Sequence, residues 1–448
     1  MAATNVTKQM LNRKLAIGSI SAIVSVALLA GCTSKEEAKV PAAEVEKKDP
    51  VTLKLYTKTN FQSTEDYEKY VGAFVKKRFP YVTIDVIRNE KGSTITELVS
   101  AGQIPDLIFE GLTNLQQLQV LKLPIDLEPF IKKTNFDLNR LSSTVVKNIR
   151  SYSDQGQITY IPYRVFALAN HYNKGIFDKF GVGYPKNGIT WEEAIELGKR
   201  VTRIENNVQY RGVNAGNGLN RMQSQLMLPF VDAKTGKAIM NTDGWKKLFD
   251  TFYQIYTIPG NYPEGSKFDD GRTAYLQKRN LAQFPNMMLL GDADFVDAAK
   301  TGLDWGISTF PEFKDRSGQG PGVFSDGFVI PRGSKHPDLA FEIIAYLLSD
   351  EVQSAAGKAG NMTPLVSMEV KKQLYADNPL AKGIDFTPMW NQKLAEPYVR
   401  TPYDVQALSI ATKYIQQYYT QKADLNTTFR QMEEEVNKFV ESEKQAGR

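Results

Sequence analysis

The chain holds one cysteine and two histidines in 448 residues. Those two scarcities close off much chemistry. The cysteine, Cys32, directly follows an apolar stretch, so no second thiol is left for a disulfide, a cysteine metal site or a thiolate nucleophile. A serine triad needs an imidazole base. His171 lies in an apolar run and reads as core, and His336 sits beside the helix-starting Pro337 as a surface capping neighbour. The Gly-x-Ser-x-Gly elbow, the His-Glu-x-x-His helix, the phosphate-binding glycine loop and the dinucleotide fingerprint are all missing. No metal and no cofactor is expected. Adjacent acids such as Asp269 and Asp270 diverge. A glycosidase built from two facing carboxylates stays open, because facing is a property of the fold.

Charge of one sign is also lacking. Lys+Arg is 55 against 50 Asp+Glu, with no dense basic run, which excludes a nucleic-acid partner. Long apolar runs are absent too. Residues 15–30 are uncharged but fall short of the ~20 residues a spanning helix needs.

That short run has a different meaning. Lys8, Arg13 and Lys14 precede it, and Leu29-Ala30-Gly31-Cys32 ends it. A basic start, a short apolar stretch and small residues describe a secretory signal; Met10-Leu11-Asn12-Arg13-Lys14 reads as a more usual beginning than Met1. The ending resembles a bacterial lipobox, which implies a signal peptide over residues 1–32 and lipidation of Cys32. Two or three acyl chains anchor stably where one does not. Residues 33–50 are charged and almost free of large apolar side chains, the composition of a flexible tether. With the signal removed, Lys+Arg falls from 55 to 52 and the chain sits near +2.

From residue 51 the hydrophobic spacing alternates strand and helix. Val51, Leu53 and Leu55 share a strand face. Tyr67, Tyr70, Val71, Phe74, Val75 and Phe79 recur at helical spacing behind a Ser63-Thr64-Glu65-Asp66 capping pattern, and Pro80 ends that helix. Val82, Ile84 and Val86 alternate as the next strand, Ile95 and Leu98 mark a helix, and 106–109 read as a third strand. Such alternation predicts parallel pairing with right-handed crossovers. The middle is mostly helical: Thr190-Trp191-Glu192-Glu193 is a second capping box, and Trp245, Leu248, Phe249, Phe252 and Ile255 form a stripe. Short strands return near residues 305–307 and 327–330. Amphipathic helices follow Pro337 and close the chain through Phe429, Met432, Val436 and Phe439.

Several segments together resemble a known family. They are Ile104-Pro105-Asp106-Leu107-Ile108-Phe109, Gly156-Gln157-Ile158-Thr159-Tyr160-Ile161-Pro162-Tyr163 and His171-Tyr172-Asn173-Lys174-Gly175-Ile176-Phe177-Asp178. Further along come Gly333-Ser334-Lys335-His336-Pro337 and Leu348-Ser349-Asp350-Glu351-Val352-Gln353, ending near Gly360 and Pro364. In this order they resemble the bacterial extracellular solute-binding protein family 1, the sugar-type binding proteins of ABC importers, over residues 51–448. The resemblance implies an α/β, two-lobed periplasmic-binding-protein-like fold of type II, with hinge strands and the ligand in the cleft between lobes. It implies a first lobe from 51–165 and 326–362, and a second from 166–325 and 363–448. Hinge crossings are expected near 164–167, 325–328 and 362–365. It implies a monomer that does no catalysis at the extracellular face of the cell membrane and delivers its ligand to ABC permease subunits. A sensor on the same fold, or one for a non-sugar solute, stays open.

A sugar offers hydroxyls at its rim and apolar C–H faces, so its site needs planar polar groups beside aromatic rings. Sites on parallel sheets lie at the carboxyl ends of strands. The candidates are Lys58, Asn60 and Phe61 after the first strand, and Glu110 and Asn114, with Leu112, after the third. Tyr163, Arg164 and Phe166 stand at the hinge, and Asn217, Asn220 and Arg221 in or after a glycine-rich turn. Asn286, Met287, Ser325, Asp326, Trp390, Tyr403 and Asp404 complete the set. Maltose-type members carry tryptophans where Glu110, Met287, Met288 and Tyr403 stand, which speaks against a long maltodextrin. The cationic candidates fit a carboxylate, as on a uronic-acid oligosaccharide.

Overall fold

The computed structural model describes residues 48–446 except 59, 62, 217, 422 and 423. Cys32, the signal segment and most of the tether fall outside the described residues, as does Asn217. The strands are β1 Val51–Thr57, β2 Val82–Arg88, β3 Leu107–Gly111, β4 Ile161–Val165, β5 Leu168–Asn173, β6 Arg203–Glu205, β7 Val208–Val213, β8 Leu281–Met287, β9 Trp305–Thr309 and β10 Ser325–Val329. They build two five-stranded sheets, ordered β2-β1-β3-β10-β4 and β6-β7-β8-β5-β9. Both belong to one compact unit, Asp49–Arg448. The expected α/β fold with two sheet-based lobes is present.

The alternation of 51–109 produces what its spacing predicts. β1 pairs in parallel with both β2 and β3. Leu53 and Leu55 are fully buried, because alternate side chains of a strand face one side. The first helix departs from a regular spiral: Glu68–Gly72 winds as a π turn between Thr64–Tyr67 and Ala73–Arg78. The widened turn breaks the i→i−4 ladder, and the Tyr70 carbonyl accepts a 2.6 Å hydrogen bond from the Tyr163 hydroxyl.

Each sheet carries its own core. Around the first pack Phe109, Phe328, Phe341 and Ile344. Around the second pack Trp191, Trp245, Phe249 and Phe252 with the C-terminal helices Asp404–Gln421 and Leu425–Gln445. Trp191 and Trp245 are buried with their indole N–H groups satisfied, by Gln225 Oε1 at 3.3 Å and the Pro229 carbonyl at 3.0 Å. Truncating either side chain to alanine costs about 3–5 kcal/mol.

Three passes of the chain run side by side between the sheets. The Val165 N–H donates to the Met362 carbonyl and the Phe166 N–H to the Phe324 carbonyl, each at 2.9 Å. β10 begins at Ser325 and pairs with β3 and β4, so residues 325–328 lie inside the first sheet and Phe324 makes the second pass.

Candidate functional site

The loops at the carboxyl ends of β3 and β8, the start of β10 and the C-terminal helix region converge on one cavity of ≈ 400 Å³. The first sheet contributes Asn114, Ser325 and Asp326. The other wall brings Asn220, Met287 and Asp404, and Phe166 stands between. A second cavity of ≈ 200 Å³ shares Phe166 and continues along Arg164, Asn361, Tyr70 and Tyr375. The two form a cleft floored by the crossing segments.

Residue chemistry in and behind this cleft is largely self-satisfied; of the lining residues, Asn220 Oδ1, Asn361 Nδ2 and Arg400 Nε are buried without a partner among the described residues. Arg164 donates to Asp326, to Asn361 Oδ1 at 2.9 Å and to Asn60 Oδ1 at 2.7 Å. The guanidinium lies 5.4 Å from the Phe166 ring, within cation–π range. Glu110 is buried, and its carboxylate accepts from the Lys58 backbone N–H and from Asn114 Nδ2 at 2.8 Å. Burial raises its pKa, with those two bonds working against the shift. Asp404 accepts from Tyr398 Oη at 2.8 Å and from Thr401 Oγ1 at 2.6 Å, and lies 3.8 Å from Arg400. Burial raises its pKa too, outweighing the guanidinium.

Arg221 differs. It is 9% exposed, and among the described residues its Nε and Nη1 are buried with no hydrogen-bond partner. Burial pulls its pKa down to about 10, which leaves it protonated at neutral pH. The Oδ1 of its neighbour Asn220 is likewise buried and unpartnered.

Other expected site residues are placed elsewhere. Phe61 stacks on Phe109 at 4.6 Å in the first core. Tyr163 is buried among Phe109 and Phe328. Asn286 caps the N–H of Met287 at 2.7 Å. Trp390 packs by Phe386, and Tyr403 edges onto Phe439. Their types suit a ligand, but Phe61 and Tyr163 turn into the packed interior, while Asn286, Trp390 and Tyr403 are half-buried and line neither cavity. His171 is fully buried, with Nδ1 3.2 Å from the Phe284 carbonyl and Nε2 accepting from the Leu289 N–H at 3.2 Å. The second bond makes Nδ1 the donor, and no lone pair remains for a base.

Sequence reading missed Tyr152, Phe230, Arg400 and Leu408 on the larger cavity and Tyr70, Asn361 and Tyr375 on the smaller. The one available signal was Asn361, next to the expected third crossing. Among the described residues no cluster of three His, Cys, Asp or Glu could hold a metal, and no helix is long and apolar enough to cross a membrane.

The comparisons follow this geometry. Residues 59–354 match the family of bacterial extracellular solute-binding proteins. An arabinooligosaccharide-binding protein of Bacillus subtilis is 24% identical over 263 residues, which is 57% of this chain and 58% of that protein. The match thus spans less than two thirds of that relative. The sugar-binding protein MalE from Xanthomonas citri superposes with TM-score 0.70 at 16% identity, covering 88% of this chain and 99% of the other. An ABC substrate-binding protein of Listeria monocytogenes, solved with cycloalternan, gives 0.68 at 16% identity over 88% and 99%. At such identities the structures speak for the fold, while the matched span of more than half the chain speaks for descent. By that span, and by two sheets joined through three adjacent crossings, the chain belongs to the bacterial extracellular solute-binding proteins.

Proposed function

We propose that this protein captures an oligosaccharide outside the cell and passes it, chemically unchanged, to the transmembrane subunits of an ABC importer. The observation that carries the reading is the cleft itself: ≈ 400 Å³ at the strand ends, lined by amides and carboxylates beside Tyr152, Phe166 and Phe230. Polar rims beside rings suit a ligand with hydroxyl edges and C–H faces. The named ligands of the relatives agree in class.

Capture works by hinge closure. Residues 51–165 with 325–362 form one lobe and 166–324 with 363–448 the other, and a ligand touching both lobes shifts the population toward the closed form. The protein is a monomer held at the membrane by lipid on Cys32, with residues 33–50 as the tether. Calorimetric titration of the processed chain with arabino-, manno- and uronic-acid oligosaccharides tests the reading. Binding of a glycan recovered intact supports it, and cleavage during incubation would sink the non-catalytic part. Loss of membrane association in Cys32→Ser tests the anchor separately.

A further inference from the structure

We propose that the smaller cavity is a subsite for one uncharged sugar ring, clamped between Tyr70 and Tyr375. The inference rests on the oligosaccharide reading and says how that ligand is divided along the cleft. Both tyrosines line the cavity of ≈ 200 Å³, and Phe166 lines this cavity and the larger one alike. A chain of rings therefore has a path from one to the other past Phe166. The smaller space, half the volume of the larger, takes one ring for every two there.

Two departures from regular backbone bring the phenols to this place. Tyr70 stands inside the π turn Glu68–Gly72, and its carbonyl is held by the Tyr163 hydroxyl at 2.6 Å. Single π turns recur at functional sites. Tyr375 holds φ at +58°, a region that costs a bulky residue energy and persists only where the surroundings enforce it. Gly360 faces its ring at φ +106°, and a Cβ there would lie 2.6 Å from Cε1, so the ring has its position because that side chain is missing. Burial, then Asp292 and the Tyr70 phenol, hold the Tyr375 pKa above its ordinary value, which puts the two hydroxyls within electrostatic reach of each other.

Tyr70 packs on the core of the first sheet, whereas Tyr375 belongs to a cluster with Phe284 of β8 in the second. A ring between them touches both halves of the molecule, as closure by a ligand requires. Flat phenols suit the C–H faces of a sugar, and their hydroxyls suit its rim. The two charged side chains lining this cavity are already paired, Arg164 with Asp326 at 2.6 Å and Asp292 with Arg272 at 2.7 Å. A carboxylate entering there would give up its water without gaining a free cation, so the ring is uncharged.

The test titrates the processed chain calorimetrically with neutral arabino- and manno-oligosaccharides of one to five rings, and with oligogalacturonides of the same lengths. For at least one neutral series, affinity is expected to step up on the order of 10-fold at the length that first reaches the smaller cavity. In Tyr70→Ala and in Tyr375→Ala that step is expected to fall below about threefold. Tyr70→Leu, which keeps apolar bulk and loses the flat face, gives the same reading where ligand-free melting curves show that an alanine variant does not fold. A step of full size in the variants would overturn the inference. Uniform binding of every length by the parent, or binding of galacturonides alone, would also overturn it while leaving the oligosaccharide reading intact. Silence toward every glycan would remove both.

Discussion

Arg164 donates from Nε and Nη2 to the same carboxylate oxygen of Asp326, at 2.9 and 2.6 Å. The pair joins β4 to the start of β10 where the chain passes between sheets, and the same guanidinium also holds Asn60 and Asn361. One side chain thus ties the loop after β1, both hinge-proximal strands and the third crossing.

Removing the arginine leaves a carboxylate that is only 8% exposed without its cation. Arg164→Met is therefore expected to lose about 3 kcal/mol in urea unfolding. Adding Asp326→Asn is expected to recover part of that loss. Strictly additive losses in the double variant would mean that the two groups are not coupled.

Gly327 sits where β10 passes β4 most closely. A Cβ there would meet the Ile161 carbonyl oxygen, and Pro162 Cα at 2.7 Å. Backbone cannot swing aside as a side chain can, so Gly327→Ala is expected to cost about 1–3 kcal/mol or more. An unchanged denaturation midpoint would refute this reading of the crossing.

His171 should give the protein an acid limb of its own. Burial lowers its pKa from 6.5 to about 4, so between those values the unfolded chain takes up a proton that the folded one refuses. Stability is then complete above pH 6.5, falls as pH drops, and levels off below pH 4, with a total of about 3 kcal/mol. The raised carboxyls of Glu110 and Asp404 act in the opposite sense, contributing below their unfolded values and losing that contribution as pH rises. The comparison that isolates the imidazole is His171→Asn against the parent from pH 7 to 4, with the slope expected to flatten in the variant. Parallel curves would exclude the imidazole as the cause.

Asp404 is the acid beside Arg400, whose guanidinium also lies 5.2 Å from the Tyr152 ring and 4.5 Å from that of Tyr398. Asp404→Ala leaves the half-buried Arg400 without its acid and is expected to cost about 3 kcal/mol. Asp404→Asn keeps hydrogen-bond acceptance from Tyr398 and Thr401 and is expected to cost less. Thermal melts of the two variants decide it, and equal losses would assign the effect to charge alone.

The strand-helix alternation of residues 51–109 was legible because period 2 and period 3.6 are local properties of a chain: Leu53 and Leu55, and the Thr190–Glu193 capping box, stand where spacing and side-chain chemistry put them. The π turn at Glu68–Gly72 was not legible, since hydrophobic spacing barely separates it from a regular helix.

By itself the sequence determined the order of elements, the buried tryptophans Trp191 and Trp245, the ordered motifs of the family and the poverty in catalytic groups. Tertiary structure alone decided which polar residues meet in the cleft and which of those already own a partner. Phe61 and Tyr163 turn inward although their types suit a ligand, while Tyr152 and Arg400, far apart in sequence, come together. Arg164 and Arg221 are alike on paper. Among the described residues one is paired and two nitrogens of the other are buried without a partner, because pairing depends on distances set by contacts between remote segments, which no local pattern encodes.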